Sequence, residues 1–322
     1  MRYMPADIPP PGTTLADIGE FGLLDLLAAR LPQGDDVLLG PGDDAAVVAV
    51  PHGRALVCTD VLVDGRHFRR DWAGAADIGR RAAAQSLSDV NAMGGRATAV
   101  TVGLAAPPDL EVAWALEMAD GIAEECALVG ASLVGGDLTR SDVLVISVTG
   151  LGAADGDPVR RSGARPGDVV AVCGRLGWAA GGLAVLGRGF RSPRVLVEAY
   201  RRPAVPYAAG PEALALGATA MVDVSDGLLA DLGHVAAASG VAIDLRGAAF
   251  VVDEPLQAVG AALGADPLGF VLTGGDDHAL AATFPAGVTL PDHWRPVGTV
   301  TAGQGVTVDG EPHDGQPGHR HF

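Results

Sequence analysis

The sequence predicts an α/β (α+β) chain in two halves, each a mixed sheet with helices packed on it, and three observations carry that prediction. Its 322 residues exceed one typical domain, so two of about 150 residues each are expected. Hydrophobic residues make up 48% of the chain, enough to build proper cores. Runs rich in Val, Ile and Leu alternate with segments of helical apolar spacing. That alternation stops at a Gly-, Pro- and Arg-rich segment, residues 155–168 (DGDPVRRSGARPGD), and then begins again.

The first half reads in order as follows. Residues 1–17 are a Pro-rich, flexible leader without the apolar core of a signal peptide. Ile18–Leu31 has helical spacing and ends at Pro32. Val37–Val50 and Arg54–Asp60 read as strands, joined through Pro51-His52-Gly53, and Leu62–Phe68 follows as a polar loop. Ala75–Met93 is an alanine-rich helix stopped by Gly94-Gly95. Ala97–Leu104 is a β-branched strand, Pro108–Val129 a long helix, and Val143–Gly152 a strand. After the junction, strands are expected at Val169–Cys173, Ala220–Val224, Val241–Leu245, Leu280–Phe284 and Val297–Val300. Helices are expected at Trp178–Leu186, Val195–Arg202, Ala208–Leu216, Leu228–Ala238 and Glu254–Leu263. Asp309-Gly310 signals a closing hairpin turn.

Acidic residues recur where apolar runs end. They stand in GPGDDAAVV (Gly40–Val48), at Thr59-Asp60, Ser88-Asp89, Gly135-Gly136-Asp137, Asp223-Val224-Ser225-Asp226 and Gly274-Gly275-Asp276-Asp277. Carboxylates set repeatedly in glycine-bearing, apolar surroundings suit hard divalent cations, and magnesium gathered this way handles polyphosphate. Each motif also has an ordinary reading: a turn at Asp44, a loop cap at Asp60, a solvated helix face at Asp89, a helix N-cap at Ser225 or Asp226. Gly135 and Gly136 suit a backbone that passes close to phosphate, and the N-terminus of the helix after Asp226 suits an anion. Arg161 lies in a glycine-bearing loop where its guanidinium can take a phosphate, or merely face water.

Composition excludes several classes. A net charge of −17 argues against nucleic acid as partner. No apolar run approaches the ~18 residues that span a bilayer, so no membrane association is expected and the cytoplasm is the default location. Cys58, Cys126 and Cys173 form no C-x-x-C and predict neither a disulfide framework nor zinc. All 22 basic residues are Arg. A P-loop or Schiff-base lysine is therefore impossible, and phosphate must be met by metals, Arg and backbone N–H groups.

Taken together and in order, GPGDDAAVV, CTDVLVDGRHF, SLSDVNAMGG, VGGDLTR, RRSGARPGD, DVSDGLLADLGH, LTGGDDHAL and the closing HF resemble the thiamine-monophosphate kinase family of the aminoimidazole-ribonucleotide-synthetase-like superfamily. The resemblance runs from about Ile18 to Phe322. It implies that superfamily's two-domain fold, with residues 18–154 as a metal- and ATP-binding, dimerising domain and 155–322 as a C-terminal α/β domain. The implied activity is transfer of the ATP γ-phosphoryl group to thiamine monophosphate. Asp44, Thr59, Asp60, Asp89, Asp137, Asp223 and Asp226 match Mg²⁺ ligands, with Asp44, Asp60 and Asp226 closest to the chemistry. Gly136, Asp137, Arg161 and Ser225 match ATP contacts, and His67, Asp276 and His319 match substrate positions. A homodimer is implied.

Departures cluster on the acceptor side. Cys58 replaces a metal-contacting serine, which shifts that contact to the backbone or abolishes it. The family's G-G-E-D-Y-E-L reads GGDDHAL, so Asp276 is shorter than Glu, and His278 and Ala279 replace Tyr and Glu. Near the C-terminus His319 stands for an aromatic residue and Arg320 for Asp. The expected mechanism is direct in-line attack by an already ionised phosphate oxygen. The alternatives are a sister enzyme with another acceptor, a metal-dependent phosphohydrolase, and a non-catalytic Ca²⁺ module, although EF-hand spacing is absent.

Overall fold

The computed structural model of the chain describes residues 9–41 and 45–319, so Asp44 and Arg320 lie outside the described residues. The chain divides into two compact units, Met1–Val90 with Arg96–Ala153, and Asn91–Gly95 with Ala154–Phe322.

The first unit opens with α1 (Leu15–Arg30), started by a capping box between Thr14 and Asp17. The predicted strand Val37–Val50 is instead two short antiparallel strands, β1 (Val37–Leu39) and β2 (Val47–Val48), because the chain turns back between them. β3 (Leu56–Val63) is followed by α2 (Ala75–Ala92), β4 (Arg96–Ala106), α3 (Val112–Ala127), β5 (Ser132–Arg140) and β6 (Val145–Ala153). The sheet order is β3-β6-β4-β5. β6 pairs antiparallel with both β3 and β4, whereas β4 and β5 are parallel, and α3 supplies the crossover a parallel pair needs. Buried Ile78 and Leu87 of α2, Met118 and Ile122 of α3, and Val100, Ile146 and Val148 of the sheet build its core.

Two sequence expectations change here. β3 continues three residues past Asp60, so Asp60 stands inside a strand and not at its end. Gly135-Gly136-Asp137 does not mark the end of a run. It lies within β5, in register with Thr101, Val102 and Gly103 of β4. Glycine is a poor strand former, but the ladder to β4 overrides that local preference.

The second unit contains β7 (Val169–Cys173), α4 (Trp178–Gly187), α5 (Arg194–Arg201), α6 (Ala209–Ala215), β8 (Ala220–Val224) and α7 (Leu228–Ser239). β9 (Ala242–Leu245), α8 (Glu254–Leu263), α9 (Pro267–Thr273), β10 (Ala279–Phe284), β11 (Trp294–Thr301), β12 (Gly305–Val308) and β13 (Glu311–Pro312) follow. The sheet runs β13-β12-β9-β11-β7-β10-β8, with β12 and β9 its parallel neighbours. Every residue of β8 and β10 is buried, which is why both read as mainly apolar runs, interrupted only by Asp223 and Thr283. Phe284 meets Trp294 edge-on at 5.2 Å in the core. α9 is absent from the sequence reading, although Asp266 caps it from its side chain and Pro267 occupies its first turn. The predicted Asp309-Gly310 turn does join two strands, with φ of 53° and 82° as a type I′ turn requires.

Candidate active site

In the first unit, strand alternation sorts β3 into two faces. Cys58, Asp60 and Leu62 turn inward, while Val57, Thr59 and Val61 face out. Late in α2, Asp89 is half-buried, not on a solvated face. One donor atom from each of Cys58, Asp60 and Asp89 lies within 4.8 Å of the other two. Neighbours hold Asp60 in place: Gln85 Nε2 donates to Oδ1 at 3.1 Å and Ser86 Oγ donates to Oδ2 at 2.6 Å. The Cys58 thiol donates to the Ser86 carbonyl at 3.2 Å. Burial, then the charges of Asp89 and Asp60, push that thiol up to about 12. Cys58 is therefore a neutral thiol beside two carboxylates, and only the carboxylates offer charged oxygen. Two fixed, half-buried acids this close repel each other unless a cation lies between them, so the donor set fits a hard divalent metal.

Thr59 does not join this group. Alternation sends its hydroxyl to the opposite face, where it bonds the Thr149 hydroxyl. Cys58, expected to lose contact, is the residue that is present instead. Gly136 and Asp137 lie on the wall of a cavity of about 880 Å³ whose other lining includes Phe21, Leu24 and Met118. An apolar chamber edged by glycines and two carboxylates, Asp25 and Asp137, suits a flat apolar ring with a charged extension. His67 is half-buried, and its Nδ1 accepts from the Val63 N–H at 3.0 Å.

In the second unit, β8 delivers Asp223 to the loop that opens α7. Three consecutive N–H groups, from Ser225, Asp226 and Gly227, donate to Asp231 Oδ2 at 3.0, 3.1 and 3.0 Å. This corrects the sequence reading of that helix start. Neither Ser225 nor Asp226 is the cap; Gly227 is, and the anion seat is filled by the chain's own Asp231. Burial and the neighbouring Asp223 push the Asp231 carboxyl up to about 7, against the pull of its N–H donors. The GGDDH loop runs alongside. Asp276 donates its N–H to Ser225 O at 2.8 Å, and His278 donates its own to Val224 O at 3.0 Å. Gly275 is required there, since a Cβ would stand 2.1 Å from Ser225 O. His319, though exposed, donates its N–H to Asp226 O at 2.8 Å. The exposed Arg161 contributes its carbonyl to a bond from Ser239 Oγ at 3.1 Å.

Sequence reasoning missed Gln85, Ser86, Asp231 and His278. An acid in the first turn after an apolar helix start is a readable signal for Asp231. The others act by tertiary placement alone.

Two families match the chain: AIR synthase related protein, N-terminal domain, over residues 42–154, and AIR synthase related protein, C-terminal domain, over residues 165–311. Thiamine-monophosphate kinase of Mycobacterium tuberculosis is 48% identical over 312 residues, covering 96% of this chain and 93% of that one. The structure of AaThiL complexed with AMPPCP and TMP is similar with a TM-score of 0.80 at 32% identity, covering 95% of this chain and 98% of that one. Thiamine-monophosphate kinase from Stenotrophomonas maltophilia K279a gives a TM-score of 0.78 at 36% identity, covering 91% and 98%. With both domains matched and near-full-length relatives at this identity, the chain belongs to the AIR synthase-related family and, within it, to the thiamine-monophosphate kinases.

Proposed function

We propose that this chain phosphorylates thiamine monophosphate to thiamine diphosphate, with ATP as donor and Mg²⁺ held by its carboxylates. The observation that carries the reading is the Cys58–Asp60–Asp89 donor group, in a chain 48% identical to a thiamine-monophosphate kinase. Asp60, Asp89 and Asp137 of the first unit and Asp223 and Asp226 of the second are the assigned Mg²⁺ ligands, with Asp44 from outside the described residues. When bound, Mg²⁺ neutralises the phosphate charge that two phosphorylated substrates bring together. Gln85 and Ser86 keep the Asp60 oxygens aimed. Gly136, Arg161 and Ser225 are assigned to ATP, and the apolar cavity beside Gly136 takes the base. His67, Asp276 and His319 are assigned to the thiamine substrate.

A terminal oxygen of thiamine monophosphate attacks the γ-phosphorus in line. The new P–O bond forms as the bond to the β-phosphate oxygen breaks, and ADP leaves. The attacking oxygen is ionised near neutral pH, so no side chain needs to take a proton. With γ-labelled ATP, the label is expected in thiamine diphosphate and never on the protein. Label on the protein, or in free phosphate alone, would overturn the reading.

Two further parts belong to this proposal. The outward face of β3 leaves Val57 and Val61 65% and 47% exposed, an apolar strip suited to pairing two copies through the first unit. Sedimentation at twice 32.4 kDa is expected, and a monomer contradicts it. The location is the cytoplasm, consistent with three free cysteines.

A further inference from the structure

We propose that His278 is the positioning residue for Asp223, fixing one carboxylate oxygen so that the other keeps a set direction. His278 Nδ1 lies 3.1 Å from Asp223 Oδ2, with both residues buried, at 1% and 3% exposure. In this role Nδ1 carries the proton and donates, and the carboxylate oxygen accepts.

The backbone around the ring is specified closely. The His278 N–H is committed to Val224 O, and β10 begins at the next residue with Ala279 opposite Val224 and Leu280 opposite Asp223. His278 has φ of +52°, a left-handed conformation that non-glycine residues rarely adopt. The chain accepts this local cost, and the outcome is a ring nitrogen on a buried aspartate. Asp223 lies close enough to Asp231 for its charge to raise the Asp231 carboxyl. A ring nitrogen held by the backbone in this way gives the Asp223 carboxylate a fixed neighbour. Donors of this kind, one bond behind a ligand, set ligand orientation.

The inference rests on the reading of Asp223 as a metal ligand, and the test separates the two. Mn²⁺ is titrated into the protein with AMPPCP present and free Mn²⁺ is read by electron paramagnetic resonance, for wild type, Asp223→Asn, His278→Gln and His278→Asn. The asparagine amide nitrogen stands where Nδ1 stood, and asparagine tolerates positive φ. His278→Gln should therefore bind Mn²⁺ about 10-fold more weakly, while His278→Asn stays within about threefold of wild type. Loss in Asp223→Asn with wild-type binding in both His278 variants overturns the positioning role and leaves the ligand reading standing. Equal loss in both His278 variants also overturns it, because the ring would then be only a filler. Wild-type binding in Asp223→Asn removes the ligand reading, and the inference falls with it. If His278→Gln does not fold, ring ¹⁵N shifts of the wild type decide instead: a protonated Nδ1 is expected, and an unprotonated Nδ1 overturns the proposal.

Discussion

Asp277 is the group whose burial should be most visible in solution. It is 6% exposed. Its Oδ1 accepts from the Ala179 N–H at 2.9 Å, capping α4 from across the chain, while Oδ2 has no hydrogen-bond partner. Burial dominates and pushes its carboxyl from 3.8 up to about 7, against the pull of the Ala179 and Gly177 N–H groups. A raised acid costs nothing below pH 3.8, where folded and unfolded chains both hold the proton. Between 3.8 and about 7 the unfolded chain ionises first, so stability falls as pH rises, and above about 7 the cost is constant. At about 1.4 kcal/mol per pH unit, the rise from pH 5.5 to the native value near 7 costs about 2 kcal/mol. Asp277→Asn keeps the Oδ1 acceptor and cannot ionise. Its own packing offset does not vary with pH and cancels. Urea denaturation of both proteins at pH 5.5 and pH 8.5, read by tryptophan fluorescence, should show the variant gaining about 2 kcal/mol on wild type at the higher pH. A stability gap that stays constant between the two conditions refutes the assignment of a buried, proton-holding carboxyl.

The remaining predictions concern the first unit. Asp60→Asn should lower kcat at least ~1,000-fold, roughly 4 kcal/mol of transition-state stabilisation, with the melting temperature kept because a self-repelling charge is removed. Retained turnover at saturating Mg²⁺ would take Asp60 out of the site. Cys58→Ser should lower the Mg²⁺ concentration for half-maximal rate, since a hydroxyl oxygen is a harder ligand than a neutral thiol. An unchanged requirement would assign Cys58 to packing alone. Gly136→Ala places a Cβ 2.0 Å from Val102 O. It should cost about 3 kcal/mol by forcing β4 and β5 apart, visible as a lower melting temperature, and a wild-type melt would contradict the pairing.

The fold was legible where local pattern and tertiary demand agree. Apolar β8 and β10 and the alanine-rich α2 read directly, because wholly buried strands and a helix face carry their burial in composition. The Gly135–Asp137 segment misled because glycine signals turns, and only the partner strand β4 makes it a strand. Asp60 and Asp89 were legible as acids in apolar company, but their convergence on Cys58 was not. Nothing in the order of residues 58, 60 and 89 states that α2 packs on the inward face of β3. Thr59 followed its motif in the reading, although period-two alternation, applied to its two neighbours, puts it on the other face. Asp231 displaced the expected anion at the start of α7 for a related reason. A first-turn acid competes for the same N–H groups that a phosphate would use.

The most direct test is ADP release from ATP and Mg²⁺, measured with and without thiamine monophosphate alongside the thiamine diphosphate formed. The account predicts ADP only when the acceptor is present, matched one for one by thiamine diphosphate. ADP released at the same rate without acceptor, or no thiamine diphosphate in its presence, would contradict it.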